Sequence, residues 1–79
     1  MKRPVQPVGV ACRFEANGRI RVERIQLDGQ WLPVGQGRQW SDENGRHLLI
    51  MLPHNQTREL LLQASTLTWV LLPGRAAVV

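Results

Sequence analysis

Three short apolar runs in the second half of the chain constrain the fold more than any other feature. They span residues 48–52, 60–62 and 67–72, and turn-forming residues follow each of them. Runs of this length are too short for stable helices and are typical of β-strands. Consecutive strands of this kind build a sheet with one apolar face, which the first half of the chain must cover.

The first half opens with a pattern that predicts a β-hairpin. Residues 8–14 alternate apolar side chains with others at a period of two, and residues 16–18 form a turn of sequence Ala-Asn-Gly. A three-residue loop pairs Phe14 with Ile20 and keeps the apolar faces together, whereas a two-residue loop would place apolar side chains opposite charged ones. We therefore predict a type I turn with Gly18 in the left-handed region and a G1 bulge.

The second strand of this hairpin, residues 19–27, carries two further signals. In the three-residue register Glu15 faces Arg19, which predicts a surface ion pair. The apolar positions change phase midway along the strand, which predicts a β-bulge near residues 23–24. The Asp-Gly pair at 28–29 then predicts a two-residue hairpin turn.

The third segment, residues 30–40, is a weaker strand. Pro33, Gly35 and Gly37 are poor strand residues, so we expect an edge strand that bends or breaks. Residues 41–45, of sequence Ser-Asp-Glu-Asn-Gly, predict an exposed loop.

The register of the next hairpin depends on the length of its loop. A three-residue loop at 54–56 pairs Ile50 with Leu60, whereas a four-residue loop pairs Leu49 with Leu60. We favour the first alternative, in which Leu48 lies on the same core-facing side as Ile50.

The last hairpin completes an all-β chain. A loop at 64–65 pairs Leu62 with Leu67 and Leu60 with Trp69. We expect a small antiparallel barrel or a strongly curled meander sheet of five to six strands, in the SH3-like class. The predicted organisation is a flexible N-terminal arm at 1–7, a single β domain at 8–73 and a C-terminal tail at 74–79.

Length and composition narrow the class of protein. A chain of 79 residues is one domain at most and buries only about 60% of its unfolded surface. The single cysteine, Cys12, excludes an internal disulfide and a paired-cysteine metal site. No segment has the roughly 18 apolar residues of a membrane-spanning helix, and no apolar signal core follows the N-terminus. These absences lead us to expect a cytoplasmic bacterial protein with no membrane partner.

The formal net charge of +4 arises in the first half of the chain. Residues 1–40 carry seven basic and three acidic side chains, while residues 41–79 carry three of each. The candidate nucleic-acid-binding residues are arginines and tryptophans of this first half: Arg13, Arg19, Arg21, Arg24, Arg38, Trp31 and Trp40. Arginines can bind phosphate and exposed tryptophans can stack on bases. A solvated charged face, with tryptophans at the ends of the barrel, has the same pattern and is the reading we favour.

Nothing in the sequence predicts catalysis or a cofactor. His47 and His54 have no cysteine or acidic partner at ligand spacing, so we predict no metal site. Cys12 follows the apolar parity of its strand and is expected to be a buried, inert thiol. No glycine-rich phosphate loop is present. We therefore predict that the chain is not an enzyme and that no small-molecule substrate is implied.

One set of residues across 8–72 has a recognisable spacing. Its members are Phe14, Gly18, Arg19, Arg21, Val22, Arg24, Ile25, Trp31, Trp40, Leu48, Glu59, Leu60, Trp69 and Leu71. In this spacing the chain resembles a small bacterial β domain of unknown function, and it is similar to the C-terminal stretch of Y-family-polymerase-like proteins of the ImuB type. Ile20 stands where that pattern has an aromatic residue, and Trp40 is single where it has two tryptophans. The resemblance implies a non-catalytic module attached to DNA-repair machinery, with no catalytic residues to carry over.

Two functions follow as expectations. The favoured one is a non-enzymatic interaction module that binds a protein partner or self-associates, because an edge strand is exposed and leucines are numerous. The alternative is a nucleic-acid-binding module that uses the arginines of the first hairpin and an exposed tryptophan.

Overall fold

The structure, a computed structural model, describes residues 5–73, and these residues form eight β-strands and one 3₁₀ turn. The strands are β1 (Gln6–Pro7), β2 (Gly9–Phe14), β3 (Ile20–Leu27), β4 (Gln30–Pro33), β5 (Gly35–Asp42), β6 (Gly45–Leu52), β7 (Gln56–Gln63) and β8 (Trp69–Leu71). The 3₁₀ turn, Pro53–Asn55, joins β6 to β7. The all-β prediction is confirmed.

The strands are divided between two antiparallel sheets. One has five strands in the order β1-β8-β7-β6-β5, and the other has three in the order β2-β3-β4. The chain passes from one sheet to the other twice, at Val8 between β1 and β2 and at Val34 between β4 and β5. Pairing among residues 5–73 gives these two sheets and no closed barrel, so only the coarser part of the fold prediction is confirmed.

The core lies between the two sheets. It is formed by aliphatic side chains of β3 on one side and of β6, β7 and β8 on the other. Its buried members are Ile20, Val22, Ile25, Leu48, Ile50, Leu52, Leu60 and Leu71. Because side chains alternate along a strand, even-numbered residues of β6 face this core, as predicted.

The first hairpin has the predicted register and turn. Phe14 pairs with Ile20, and Gly18 adopts a positive φ of 89° while its N–H donates to the carbonyl of Glu15. Cys12 pairs with Val22 but Ala11 pairs with Arg24, so Glu23 is the extra residue of a β-bulge on β3. The predicted bulge is confirmed. The carboxylate of Glu15, however, lies 3.3 Å from Arg21 rather than beside Arg19, so the predicted ion-pair partner is wrong.

The middle of the chain breaks as predicted. The two-residue turn at Asp28 and Gly29 pairs Ile25 with Leu32, and both turn residues have positive φ. The segment then ends at Pro33 and resumes at Gly35 in the other sheet, so its two halves are edge strands of different sheets. The loop predicted at 41–45 is shorter than expected, since β5 continues to residue 42.

The last two hairpins keep the predicted faces but not the predicted partners. Leu48 pairs with Leu60, two residues from the favoured register, because the loop occupies 53–55 rather than 54–56. Trp69 likewise pairs with Leu62 rather than with Leu60. Here the loop is longer than predicted because Leu67 turns out of the strand, with a φ of 58° and a 74% exposed side chain.

The N-terminal end of the domain differs from the prediction at residues 6 and 7. Gln6 and Pro7 pair with Leu71 and Val70 of β8, although the sequence placed them in an unpaired arm. The remainder of the arm before residue 5, and the tail predicted at 74–79, lie outside the described residues. Within residues 5–73, none of the helical structure is long or apolar enough to span a membrane.

Candidate interaction surfaces

The outer face of the three-stranded sheet carries four of the predicted site residues. Arg13 and Arg21 are directly opposite each other on β2 and β3, and Arg24 lies two pairs further along, opposite Ala11. The guanidinium carbon of Arg24 lies 5.6 Å from the centre of the Trp31 ring, a cation–π distance. The structure therefore brings three arginines and one half-exposed tryptophan onto one surface.

Neighbouring carboxylates reduce the positive charge of this face. Arg13 lies 3.6 Å from Glu23, and Arg21 lies 3.3 Å from Glu15. Ion pairs this exposed contribute little to stability, but they compete with phosphate for the guanidinium groups. Arg19 is exposed at the end of the hairpin and makes no side-chain ion pair or hydrogen bond within residues 5–73.

The remaining two site residues lie on the other sheet. Arg38 and Trp40 belong to β5, and the Arg38 guanidinium carbon lies 5.1 Å from the centre of the Trp40 ring. The other neighbour of Trp40 is the imidazole of His47, which is parallel to it with ring centres 5.1 Å apart. The seven predicted residues therefore do not form one site, because the two sheets separate them.

His47 lies between two carboxylates that the sequence analysis did not connect to it. Its Nδ1 lies 2.6 Å from Oε2 of Glu59, and its Nε2 lies 2.9 Å from Oδ1 of Asp42. A carboxylate at each nitrogen favours the doubly protonated imidazole, because in that form both nitrogens can donate. Burial of the ring acts to lower the pKa of His47, but the hydrogen bonds and charges of Asp42 and Glu59 outweigh it and raise this pKa.

This cluster joins the β5–β6 hairpin to β7. The His47 side chain is almost fully buried and both of its nitrogens are occupied, so it has no free lone pair for a substrate. No group of three or more histidine, cysteine or acidic side chains within residues 5–73 is arranged to hold a metal ion. The same hydrogen bond to His47 is the main cause of the lowered pKa of Asp42. We assign the cluster a structural role.

A second feature that sequence reasoning missed is the free edge of β2. Glu15 N–H donates to the carbonyl of Arg19, and in an antiparallel ladder every second residue bonds the neighbouring strand. Because the bulge residue is on β3, this alternation continues unbroken along β2. The backbone groups of Val10, Cys12 and Phe14 therefore point away from β3, to the side on which β2 pairs with no strand of residues 5–73.

Apolar side chains accompany this free edge. Phe14 is 62% exposed at the end of β2, the largest exposure of any aromatic residue within 5–73. Val10 and Cys12 are on the same side of the strand and pack partly against the core. Cys12 is half-buried rather than buried as predicted, and burial together with the charge of Glu23 raises the pKa of its thiol.

An open groove of about 650 Å³ runs beside the beginning of β2. It is lined by the chain at residues 7–10, by the turn between β3 and β4, and by Thr68 and Trp69. Two of its lining residues are joined by a hydrogen bond, in which the N–H of Val8 donates to the carbonyl of Trp69 at 3.1 Å. The groove therefore offers space next to Val10 where the two sheets separate.

Side chains cover the part of β3 that β4 leaves unpaired. Two side-chain amides of β5 bond the backbone of β3 where β4 no longer reaches it. Gln36 accepts from Val22 N–H and donates to the Ile20 carbonyl, both at 2.7 Å, and Gln39 bonds both backbone groups of Ile20. The three-stranded sheet has two edges, β4 and β2, and alternation along β2 could not have revealed that it is one of them.

Comparisons with known proteins add no assignment, because no family model, curated protein or solved structure matches the chain.

Proposed function

We propose that the chain is a non-enzymatic interaction module that binds an extended strand of a protein partner along the free edge of β2. The observation that carries the proposal is the row of unpaired backbone groups at Val10, Cys12 and Phe14, beside an exposed aromatic ring. Strand addition obtains its affinity from such main-chain groups and its specificity from alternate side chains.

The edge also lacks the features that normally prevent strand addition. Natural edge strands carry lysine, proline, a bulge or an inward-pointing charge. From Val10 to Phe14 the side facing the core is apolar, the strand contains no proline, and the bulge is on β3 instead. The partner segment that fits is an extended strand with apolar residues at alternate positions, one of which can enter the groove next to Val10.

The finer architecture belongs to the same proposal. Two chain segments, residues 6–14 and 30–42, each pass from one sheet to the other, as strands do at the corners of small barrels. We place the domain with small barrels of the SH3-like class, open along β2.

The test is a selection of random heptapeptides on the folded protein, with Cys12→Pro as the matched competitor. The proline removes an N–H that points away from β3, so the β2–β3 ladder is retained while the binding edge is blocked. We expect enriched peptides with alternating apolar residues that bind the parent chain and Cys12→Ala, and that bind Cys12→Pro at least about tenfold more weakly. Peptides that bind Cys12→Pro equally well, or no enrichment, contradict the proposal.

A second candidate function is favoured by one specific observation. Arg13, Arg21, Arg24 and Trp31 share the outer face of the three-stranded sheet, an arrangement suited to phosphate contacts beside a stacked base. The link to DNA repair that the sequence resemblance implies belongs to this candidate.

Two matched variants test this candidate against a single-stranded oligonucleotide. Arg24 and Arg38 both lie over a tryptophan but on different sheets, so only Arg24→Gln should weaken binding. We expect affinity to fall steeply between low and moderate salt, because phosphate contacts release counterions. Equal effects of Arg24→Gln and Arg38→Gln, or affinity independent of salt, exclude the sheet face as the binding surface.

A further inference from the structure

We infer that the free edge of β2 pairs antiparallel with the same edge of a second copy of this chain, about a two-fold axis at Cys12. This inference rests on the proposed function, because it names the strand that the edge binds. It places β2 of each copy at the centre of a continuous six-stranded sheet.

The limits of the free edge determine its centre. Before β2, the N–H of Val8 already donates to the carbonyl of Trp69. After it, the N–H of Glu15 donates to the carbonyl of Arg19. The backbone groups that remain belong to Val10, Cys12 and Phe14, which are evenly spaced about Cys12. An antiparallel copy centred there pairs all three residues, and each pair exchanges two hydrogen bonds.

The side chains fit the same register. Val10 of one copy faces Phe14 of the other, so the exposed ring of Phe14 gains an apolar neighbour on the core-facing side. On the outer side Arg13 faces Ala11 of the second copy, and no two charged residues are directly opposite. The strand is therefore complementary to itself.

The neighbouring registers are less favourable for specific reasons. A two-fold axis at Arg13 places the two copies of Arg13 directly opposite each other, which is repulsive. An axis at Ala11 requires the backbone of Val8, whose N–H is already bonded. One register therefore satisfies both the backbone and the charges.

The size and the charge of the interface determine the affinity that we expect for the dimer. Pairing along five residues buries less than the roughly 1,200 Å² of a standard interface, so we expect a dissociation constant on the order of 100 μM. In the dimer, Arg13, Arg21 and Arg24 on the outer face of one copy lie on the same sheet surface as the same three arginines of the other copy. Screening of this repulsion should make the dimer tighter at higher salt, the opposite of the salt dependence of phosphate binding.

Sedimentation velocity over the range from about 5 μM to 1 mM tests the association, with mixed isotope labelling to test the register. We expect a monomer–dimer equilibrium, and an intermolecular contact between the Hα protons of Ala11 and Arg13. Cys12→Ala should dimerise like the parent chain, whereas Cys12→Pro and Phe14→Lys should remain monomeric. Phe14→Lys is the second blocking variant, because its exposed site tolerates polar residues even if the proline disturbs folding.

The outcomes separate this inference from the function on which it rests. A parent chain that stays monomeric throughout, or a dimer that persists in both blocking variants, overturns the second copy as partner. If selected peptides still bind the β2 edge in that case, strand addition remains and only the occupant is wrong. A dimer lacking the Ala11–Arg13 contact overturns the two-fold axis at Cys12.

Discussion

At the scale of single residues, the imidazole of His47 explains how a buried charge is stabilised in a small domain. The carboxylates of Asp42 and Glu59 lie 2.9 Å and 2.6 Å from its two nitrogens, and the Trp40 ring covers one face. Buried charge is unfavourable unless it is paired and hydrogen-bonded, and this ring is both. The cluster fixes the end of β6 against β7.

The stability of the domain should therefore depend on pH through His47. Its pKa in the folded state is raised above the ordinary value of 6.5, so its contribution is complete below that pH and is lost as pH rises through the folded pKa. We expect the urea midpoint of the parent chain to decline as the pH rises above the ordinary pKa of 6.5. His47→Gln should cost roughly 2 kcal/mol at pH 6 and flatten the profile. A variant with the same decline as the parent chain would contradict this role of His47.

Two glycines with positive φ provide a second test at this scale. A Cβ at Gly45 would lie 2.0 Å from the Leu62 carbonyl oxygen, whereas a Cβ at Gly18 meets nothing within 4 Å. Gly18→Ala should cost about 1–2 kcal/mol from backbone strain alone. Gly45→Ala adds a clash with backbone, so we expect a loss of roughly 4 kcal/mol or more in urea unfolding. Equal losses for the two variants would contradict the close packing at Gly45.

At the scale of elements, the two glutamines of β5 replace a missing stretch of strand pairing. β4 pairs with β3 only from Arg24 to Leu27. At Ile20 and Val22, the side-chain amides of Gln36 and Gln39 hydrogen-bond the backbone of β3 in place of a strand. A side-chain amide has both a donor and an acceptor, so it can imitate a peptide group. The glutamines thus join the two sheets.

Removal of an amide from this junction should leave buried backbone groups unpaired. Gln36→Leu removes the acceptor of the Val22 N–H and one of the two donors to the Ile20 carbonyl. Gln39 remains as the second donor to that carbonyl. We expect Gln36→Leu to cost about 1–3 kcal/mol, and the Gln36→Leu/Gln39→Leu pair to cost more than the sum of the single changes. Guanidinium unfolding of the four chains measures the coupling. Additive losses would mean that the two amides act independently.

The elements also show how far the sequence predicts this fold. A period of two identifies the face on which a residue lies, and a shift of two residues leaves every face unchanged. The faces of β6, β7 and β8 were therefore predicted correctly, while Leu48 and Trp69 have different partners from those expected. The loops decide the partners, and their lengths depend on positive φ at His54, Asn55 and Leu67, a conformation that leucine does not signal.

At the scale of the whole molecule, the candidate surfaces follow from the division into two sheets. The sequence named seven candidate residues without separating them by sheet, whereas the structure puts Arg38 and Trp40 on the five-stranded sheet and Arg13, Arg21, Arg24 and Trp31 on the three-stranded one. The sequence did not reveal the free edge of β2, because its alternating pattern is the same in a paired and an unpaired strand. The cluster of His47 was missed since Glu59 is twelve residues away.

The measurement that tests the central claim most directly is amide hydrogen exchange along β2, with and without a selected peptide. In the dilute free protein we expect rapid exchange at Val10, Cys12 and Phe14, and slow exchange at Ala11 and Arg13, whose N–H groups face β3. The peptide should protect the first three and leave the other two unchanged. Slow exchange at all five residues in the dilute free protein, or protection confined to residues outside β2, would contradict strand addition at this edge.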